Sequence, residues 1–180
     1  MRRVVVYALM SLDGVAEEPG DWVFEVDERV FRNLAEVVGR QDLVLLGRAT
    51  YASWVDYWPT SDVQPFADFV NGTPKHVVTS SPLDGAWPGA VAVGAPLVEH
   101  VRALRAGDGG DVGVHGSLTV ARTLLAAGLV DELQLVVAPT VAGRGRRLFE
   151  GQDLQRLQLT RAEPTPSGCV LLTYRPSSSA

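Results

Sequence analysis

The stretch Val112-Gly-Val-His115-Gly-Ser-Leu-Thr-Val-Ala-Arg-Thr-Leu-Leu125 decides how the chain is read. Val112–Val114 is a short apolar run of the kind that forms a strand. It breaks at His115-Gly116-Ser117, after which Leu118, Val120, Ala121, Leu124 and Leu125 recur at helical spacing. A strand, a tight turn and a helix leave backbone N–H groups free at the helix start, where they meet anions, most often phosphate. Gly116 lets a ligand approach the backbone, and Ser117 either caps the helix or bonds a phosphate oxygen. Such turns also occur in α/β domains that bind nothing, so the reading needs a second junction.

One follows from Asp42-Leu-Val-Leu-Leu46, a buried strand running into Gly47-Arg48-Ala49-Thr50-Tyr51. Here a glycine, a permanent positive charge and a threonine hydroxyl meet at a helix start, which suits phosphate, although a surface ion pair would also occupy Arg48. Residues 3–10 form another continuous apolar strand, stopped by the turn Ser11-Leu12-Asp13-Gly14. Lys75-His-Val-Val-Thr79-Ser80-Ser81 is a strand ending in hydroxyls, which serve a ribose or its phosphate, or simply the turn before Pro82.

Between these lie helices expected over Asp27–Val38, ended by Gly39, over Pro65–Val70 and over Pro96–Ala106, and Ala52–Trp58 reads as the rest of the short helix that starts at the Gly47–Thr50 junction, closed by Pro59. Ala90–Val93 is a brief strand, and a long one follows Leu129. Val141–Arg147 is a glycine–arginine loop, able to meet a phosphate or carboxylate or merely to face solvent. Leu154–Ala162 and Gly168–Arg175 form a hairpin. Strands alternate with helices through the first two-thirds and stand alone in the last third. That pattern predicts an α/β fold: a mainly parallel central sheet, helices on both faces and a C-terminal antiparallel hairpin. Ligands of such sheets sit beyond the carboxyl ends of the strands, where all four turns fall. Trp22, in the loop 16–22, is either a lid on the core or a wall of that pocket.

The totals bound the function. With 180 residues, 46% hydrophobic and 21% charged, the chain has the length and balance of one globular domain, expected over 1–175 with a disordered tail at 176–180. A net charge of −5 without a basic face argues against nucleic acid. The single cysteine, Cys169, reads as a small buried apolar residue in a reducing compartment. No stretch approaches the roughly 20 apolar residues of a membrane span, and the N-terminal apolar run is too short for a signal core. A cytoplasmic protein without membrane partner or metal is expected.

Four segments then carry a resemblance: Ser11–Gly14; Leu46-Gly-Arg-Ala-Thr-Tyr51; Val78-Thr-Ser-Ser81; and Gly128-Leu-Val-Asp-Glu-Leu133 through Pro139 to Gly143-Arg-Gly-Arg-Arg-Leu-Phe149. In order and spacing they resemble the dihydrofolate reductase-like superfamily, in the branch similar to the reductase domain of bacterial riboflavin biosynthesis, over residues 2–175. The resemblance implies a dihydrofolate reductase-like fold, NADPH as cofactor and a small substrate, pterin-like or ribosylaminopyrimidine-like. It assigns Gly47, Arg48, Ala49 and Thr50 to the phosphates and Thr79, Ser80 and Ser81 to the adenosine end. Gly116, Ser117, Leu118 and Thr119 take the pyrophosphate, and Ala8 and Val15 the nicotinamide amide. Relatives carry glycines where this chain has His115-Gly116-Ser117, so His115 either lines the cofactor pocket or shields the turn. Asp27 is the candidate catalytic acid, with Glu28 as rival; a helix N-terminal acid favoured by the dipole is the alternative. Asp13, Trp22 and Phe31 are the candidate substrate contacts. The family often dimerises, and the final apolar strands offer a surface for a homodimer. A different class of function, a non-catalytic nucleotide- or ligand-binding module or sensor, stands beside the reductase. So does promiscuous reduction of quinones or nitro compounds, which needs no specific acid.

Overall fold

The computed structural model describes residues 1–177. Its elements in chain order are β1 (Val4–Met10), α1 (Glu28–Val38), β2 (Gln41–Gly47), α2 (Arg48–Trp54), α3 (Phe66–Gly72), β3 (Lys75–Val78), β4 (Ala90–Val93), α4 (Leu97–Ala106), β5 (Asp111–His115), α5 (Leu118–Ala126), β6 (Glu132–Val137), β7 (Leu157–Pro164) and β8 (Val170–Pro176). The strands form one sheet in the order β4-β3-β2-β5-β1-β6-β8-β7. The six strands from β4 to β6 in that order run parallel, and β8 runs against both β6 and β7. The expected mainly parallel sheet with a C-terminal antiparallel hairpin is what the chain forms.

Period-2 alternation decides which side chains each face receives. Val4 and Val6 of β1, Leu43 and Leu45 of β2 and Val112 and Val114 of β5 meet Val101 of α4 and Leu118, Ala121, Leu124 and Leu125 of α5. On the opposite face Val5 and Tyr7 pack with Val30 and Val37 of α1, and Val44, Leu46 and Val77 with Phe66 and Val70 of α3. Both faces are therefore covered, which is why β1, β2 and β5 read as unbroken apolar runs. Cys169 is buried in the α1 layer.

Several boundaries move. The short helix that starts at the Gly47–Thr50 junction spans Arg48–Trp54 and ends before the expected Trp58, and a single 3-10 turn, Trp58–Thr60, carries Pro59. The ring of Pro59 cannot sit in a helix interior, so the helix closes before it. β3 ends at Val78, leaving Thr79, Ser80 and Ser81 in the following turn. Leu129 and Val130 are buried in the connection ahead of β6 rather than in the strand. β7 begins at Leu157, with Leu154 fully exposed. Pro176 pairs with Leu157, so the last strand includes the first residue of the expected tail; residues 178–180 lie outside the described residues.

Two buried charges fasten the frame. Lys75 is 0% exposed; its ammonium donates to the carbonyls of Val70 (2.6 Å), Thr73 (2.7 Å) and Asn71 (3.4 Å) at the end of α3 and lies over the Trp87 ring. It thereby occupies the carbonyls that a helix end leaves unpaired. Glu132 is also buried, and burial alone would raise its pKa. Gln134 at 2.7 Å and the guanidinium groups of Arg175, Arg40 and Arg3 outweigh that and hold the carboxyl below its usual range.

Candidate functional site

β1, β2, β3 and β5 are parallel, so the turns that leave them emerge along one edge. Two of these turns are stitched together. The Ser117 hydroxyl accepts from the Gly47 N–H at 2.9 Å and donates to Thr50 Oγ1 at 2.8 Å. Thr50 in turn lies 3.4 Å from the Gly116 carbonyl. Ser117 stands at the cap position of α5 yet gives that helix no side-chain cap. Among the described residues no side chain caps the first-turn N–H groups of α5, which leaves donors for an anion. Gly116 has φ +65° and is exposed; a Cβ there would lie 2.5 Å from Trp54 Cζ2. Only glycine fits this turn. These features suit the diphosphate of a dinucleotide.

His115 is the last residue of β5 rather than part of the turn, and it is 3% exposed. Its Nε2 lies 2.7 Å from Gln41 Oε1, and the Gln41 side chain occupies the space that a Cβ at Gly113 would need. Burial pushes the imidazole down to about 3, so it is neutral at pH 7.

Beside the stitched turns opens a cavity of about 470 Å³. One wall is Val26, just ahead of α1, with Val30, Phe31 and Leu34 of the helix; the other is Ser53 and Trp54 of α2, Trp58 and Val63 of the following connection and Phe66 of α3. Tyr7, Ala8, Leu9, His115, Gly116 and Leu118 close the sheet end, with Ala49 and Thr50 beside them. Trp54, Trp58 and Phe66 meet edge to face at centroid distances of 4.7–5.6 Å, and Phe66 stands 5.1 Å from His115. The Tyr7 hydroxyl and the Trp58 indole N–H are buried without a partner among the described residues. At the mouth Ala16, Glu17, Glu18, Pro19 and Arg146 complete the lining. Glu17 accepts from the Arg146 backbone N–H at 3.0 Å and from its guanidinium at 2.5 Å, and these bonds hold its carboxyl below the usual range.

Of the expected cofactor residues, Ala8, Ala49, Thr50, His115, Gly116 and Leu118 line this cavity, and Gly47 and Ser117 join the turns beside it. Thr119 is exposed on α5. Arg48 turns to the neighbouring loop, donating to the Pro82 carbonyl and the Asp84 carboxylate, each at 2.7 Å. It is the surface ion pair that the sequence left as an alternative, and it brings the β2–α2 turn against the loop of Thr79, Ser80 and Ser81. Val15 is buried, is not among the lining residues, and is bridged to Arg147.

The expected substrate and catalytic residues fare differently. Phe31 lines the cavity. Asp27 does not: it caps α1, accepting from the N–H groups of Arg29 (2.8 Å) and Val30 (3.3 Å), and its other oxygen accepts from the Ser167 N–H at 2.8 Å. The Ser167 hydroxyl above all, with these amides and the Thr165 hydroxyl, holds its carboxyl well below the usual carboxylate range. With its acceptors so engaged, Asp27 is a structural cap. Glu28 is exposed and pairs with Arg32. Asp13 accepts from the Ser11 hydroxyl and the N–H groups of Ala142 and Gly143, so it anchors the glycine–arginine loop instead of facing the cavity. Trp22 is the lid on the core: it is 5% exposed and its indole N–H donates to the Glu17 carbonyl. Of the loop arginines, Arg146 pairs with Glu17, and Arg147 donates to the Asp13 carbonyl. Sequence reasoning missed Tyr7, Leu34, Trp54, Trp58 and Phe66. The spacing of Phe31 with Leu34, and of Trp54 with Trp58, was the available signal, because residues three or four apart share a helix face.

Comparison with known proteins agrees with this fold. YyaP of Bacillus subtilis, an uncharacterised protein, is 25% identical over 183 residues, covering 96% of this chain and 94% of its own. A solved protein from Shewanella sp. PV-4, described as a candidate riboflavin biosynthesis protein, superposes with a TM-score of 0.78 at 19% identity, covering 98% of this chain and 99% of that one. Dihydrofolate reductase from Enterococcus faecalis, solved with NADP(H), superposes with a TM-score of 0.66 at 16% identity, covering 98% and 97%. The fold is thus dihydrofolate reductase-like. The profile of the RibD C-terminal domain matches residues 2–171, and the chain belongs to that family.

Proposed function

We propose that the chain is an NADPH-dependent reductase of a small, flat ring compound. The observation that carries this reading is the junction of turns and cavity: Thr50 and Gly116 belong both to the stitched, phosphate-facing turns and to the cavity wall. A dinucleotide held on the turns would end where a ring can stack. The Enterococcus faecalis enzyme, similar in fold, was solved with NADP(H), which supports the same cofactor here. Bound NADPH supplies the hydride. This chain's residues bind, orient and exclude water: Gly47, Thr50, Gly116, Ser117 and the α5 amides toward the diphosphate, Ala8 and His115 toward the inner end, Arg48 and Thr79–Ser81 toward the adenosine 2′-phosphate.

Isothermal titration of NADPH and NADH tests it. An Arg–phosphate contact is worth roughly 1.5–3 kcal/mol, so Arg48→Ala should weaken NADPH about tenfold or more and leave NADH nearly unchanged. Asp84→Asn, which releases Arg48 from its carboxylate, should strengthen NADPH selectively. Failure of both nucleotides to bind refutes the reductase. Binding without oxidation against any carbonyl, pyrimidine or pterin acceptor makes the chain a binding module.

A further inference from the structure

We propose that the cavity takes an uncharged, flat aromatic dicarbonyl of the quinone class; this names the substrate of the reductase reading and rests on it. The walls argue for a flat aromatic guest. Trp54, Trp58, Phe66 and Phe31 present ring faces and edges, and such contacts favour stacked or edge-on aromatic partners.

Charge argues for a neutral one. The face of α1 toward the cavity is Val30, Phe31 and Leu34, with no carboxylate to anchor an amino-substituted pyrimidine ring. No free cation among the described lining residues awaits a phosphate, since Arg146 is committed to Glu17. The mouth carries two carboxylates, Glu17 and Glu18, against that one guanidinium, and its net negative charge repels an anion.

Proton supply selects the quinone among such guests. The acid expected on α1 is spent as a cap, His115 is buried and bonded to Gln41, and Glu17 is ion-paired, so the interior offers no ready acid. A quinone needs none at the moment of reduction. It gains the hydride of a dihydronicotinamide, whose C4–H bond breaks and which leaves oxidised by two electrons. The hydroquinone monoanion spreads its charge over the ring and takes one proton from water at the mouth. A simple ketone would instead form a strongly basic alkoxide inside an apolar cavity, which is costly without a partner.

The test uses a matched pair, 1,4-naphthoquinone and 1,4-naphthoquinone-2-sulfonate, titrated calorimetrically into the full chain without nucleotide. Cys169, the one thiol, is 1% exposed and so does not trap the quinone. The neutral quinone should bind at least tenfold more tightly, and Trp58→Ala should weaken it at least tenfold. With NADPH present, the neutral quinone should also turn over with the higher kcat/KM, although the sulfonate makes its ring the better hydride acceptor. Equal or reversed affinities, no binding of either compound, an unaffected Trp58→Ala variant, or binding without reduction overturns the substrate assignment. The nucleotide titrations fail independently of these, so a lost reductase reading is told apart from a wrong substrate.

Discussion

Replacing Gly116 by alanine tests whether the turn and the cavity wall are one object. Two penalties combine there. The residue has φ +65°, a conformation that costs an L-residue about 1–2 kcal/mol. The new Cβ would also lie 2.5 Å from Cζ2 and 3.0 Å from Cη2 of Trp54, and 3.3 Å from Thr50 Cγ2. Trp54 is itself wedged against Trp58 and Phe66, so it cannot yield freely, and overpacking of this kind costs about 1–3 kcal/mol. The sum is about 2–5 kcal/mol. Gly128 is the internal control, with φ +64° and nothing within 4 Å of an added Cβ; its alanine variant should show the conformational penalty alone. Urea unfolding followed by circular dichroism should place Gly116→Ala about 1–3 kcal/mol below Gly128→Ala. In a Trp54→Ala background that excess should vanish, giving a coupling energy of the same size. NADPH affinity should fall in Gly116→Ala and survive in Gly128→Ala. Equal destabilisation of the two variants, or zero coupling to Trp54, would refute the placement of the indole against the turn.

Asp27→Asn should leave reductase turnover unchanged, because the carboxylate caps α1 and does not face the cavity; a tenfold loss of kcat would contradict this. Its folded pKa lies below the unfolded value, so the stability it adds is complete above about pH 4 and is lost as pH falls through the folded value. Thermal unfolding from pH 2 to 7 should show a shallower acid decline in the Asn variant. Lys75→Met should cost at least about 2 kcal/mol at pH 7 by stranding the α3 carbonyls, read by urea unfolding. Burial pushes the Lys75 amine down to about 8 against 10.5 when unfolded. The unfolded chain therefore binds the extra proton between those values, and the stability of wild type relative to Lys75→Met should rise as pH rises across that window. A flat difference curve would mean that the ammonium is not desolvated.

The frame was legible because its requirements are local. β1, β2 and β5 are buried on both faces, and a strand so placed must be an unbroken apolar run. The turn after β5 needs a positive φ that Gly116 supplies, and the short Ser117 side chain beside it reaches the Gly47 N–H, so Gly116 and Ser117 announce the junction. The cavity was not legible in the same way. A wall that will meet a ligand and a core that will meet another helix ask the same thing of a side chain, so nothing in the sequence sets Tyr7, Trp54 and Phe66 apart from core residues. The ionisable groups were harder still, because their roles depend on partners far away in the chain. Asp27 stands at a helix start, where a cap and a catalytic acid look alike in sequence, and Ser167, 140 residues on, engages its second oxygen. Arg146 looks like an anion site until Glu17, 129 residues back, neutralises it. Each pairing removes a charge from the list of groups free to act. With Arg146 paired in this way, what remains of the cavity is an aromatic and apolar wall beneath a mouth of net negative charge, and that combination, rather than any one motif, is what points to an uncharged ring as the substrate.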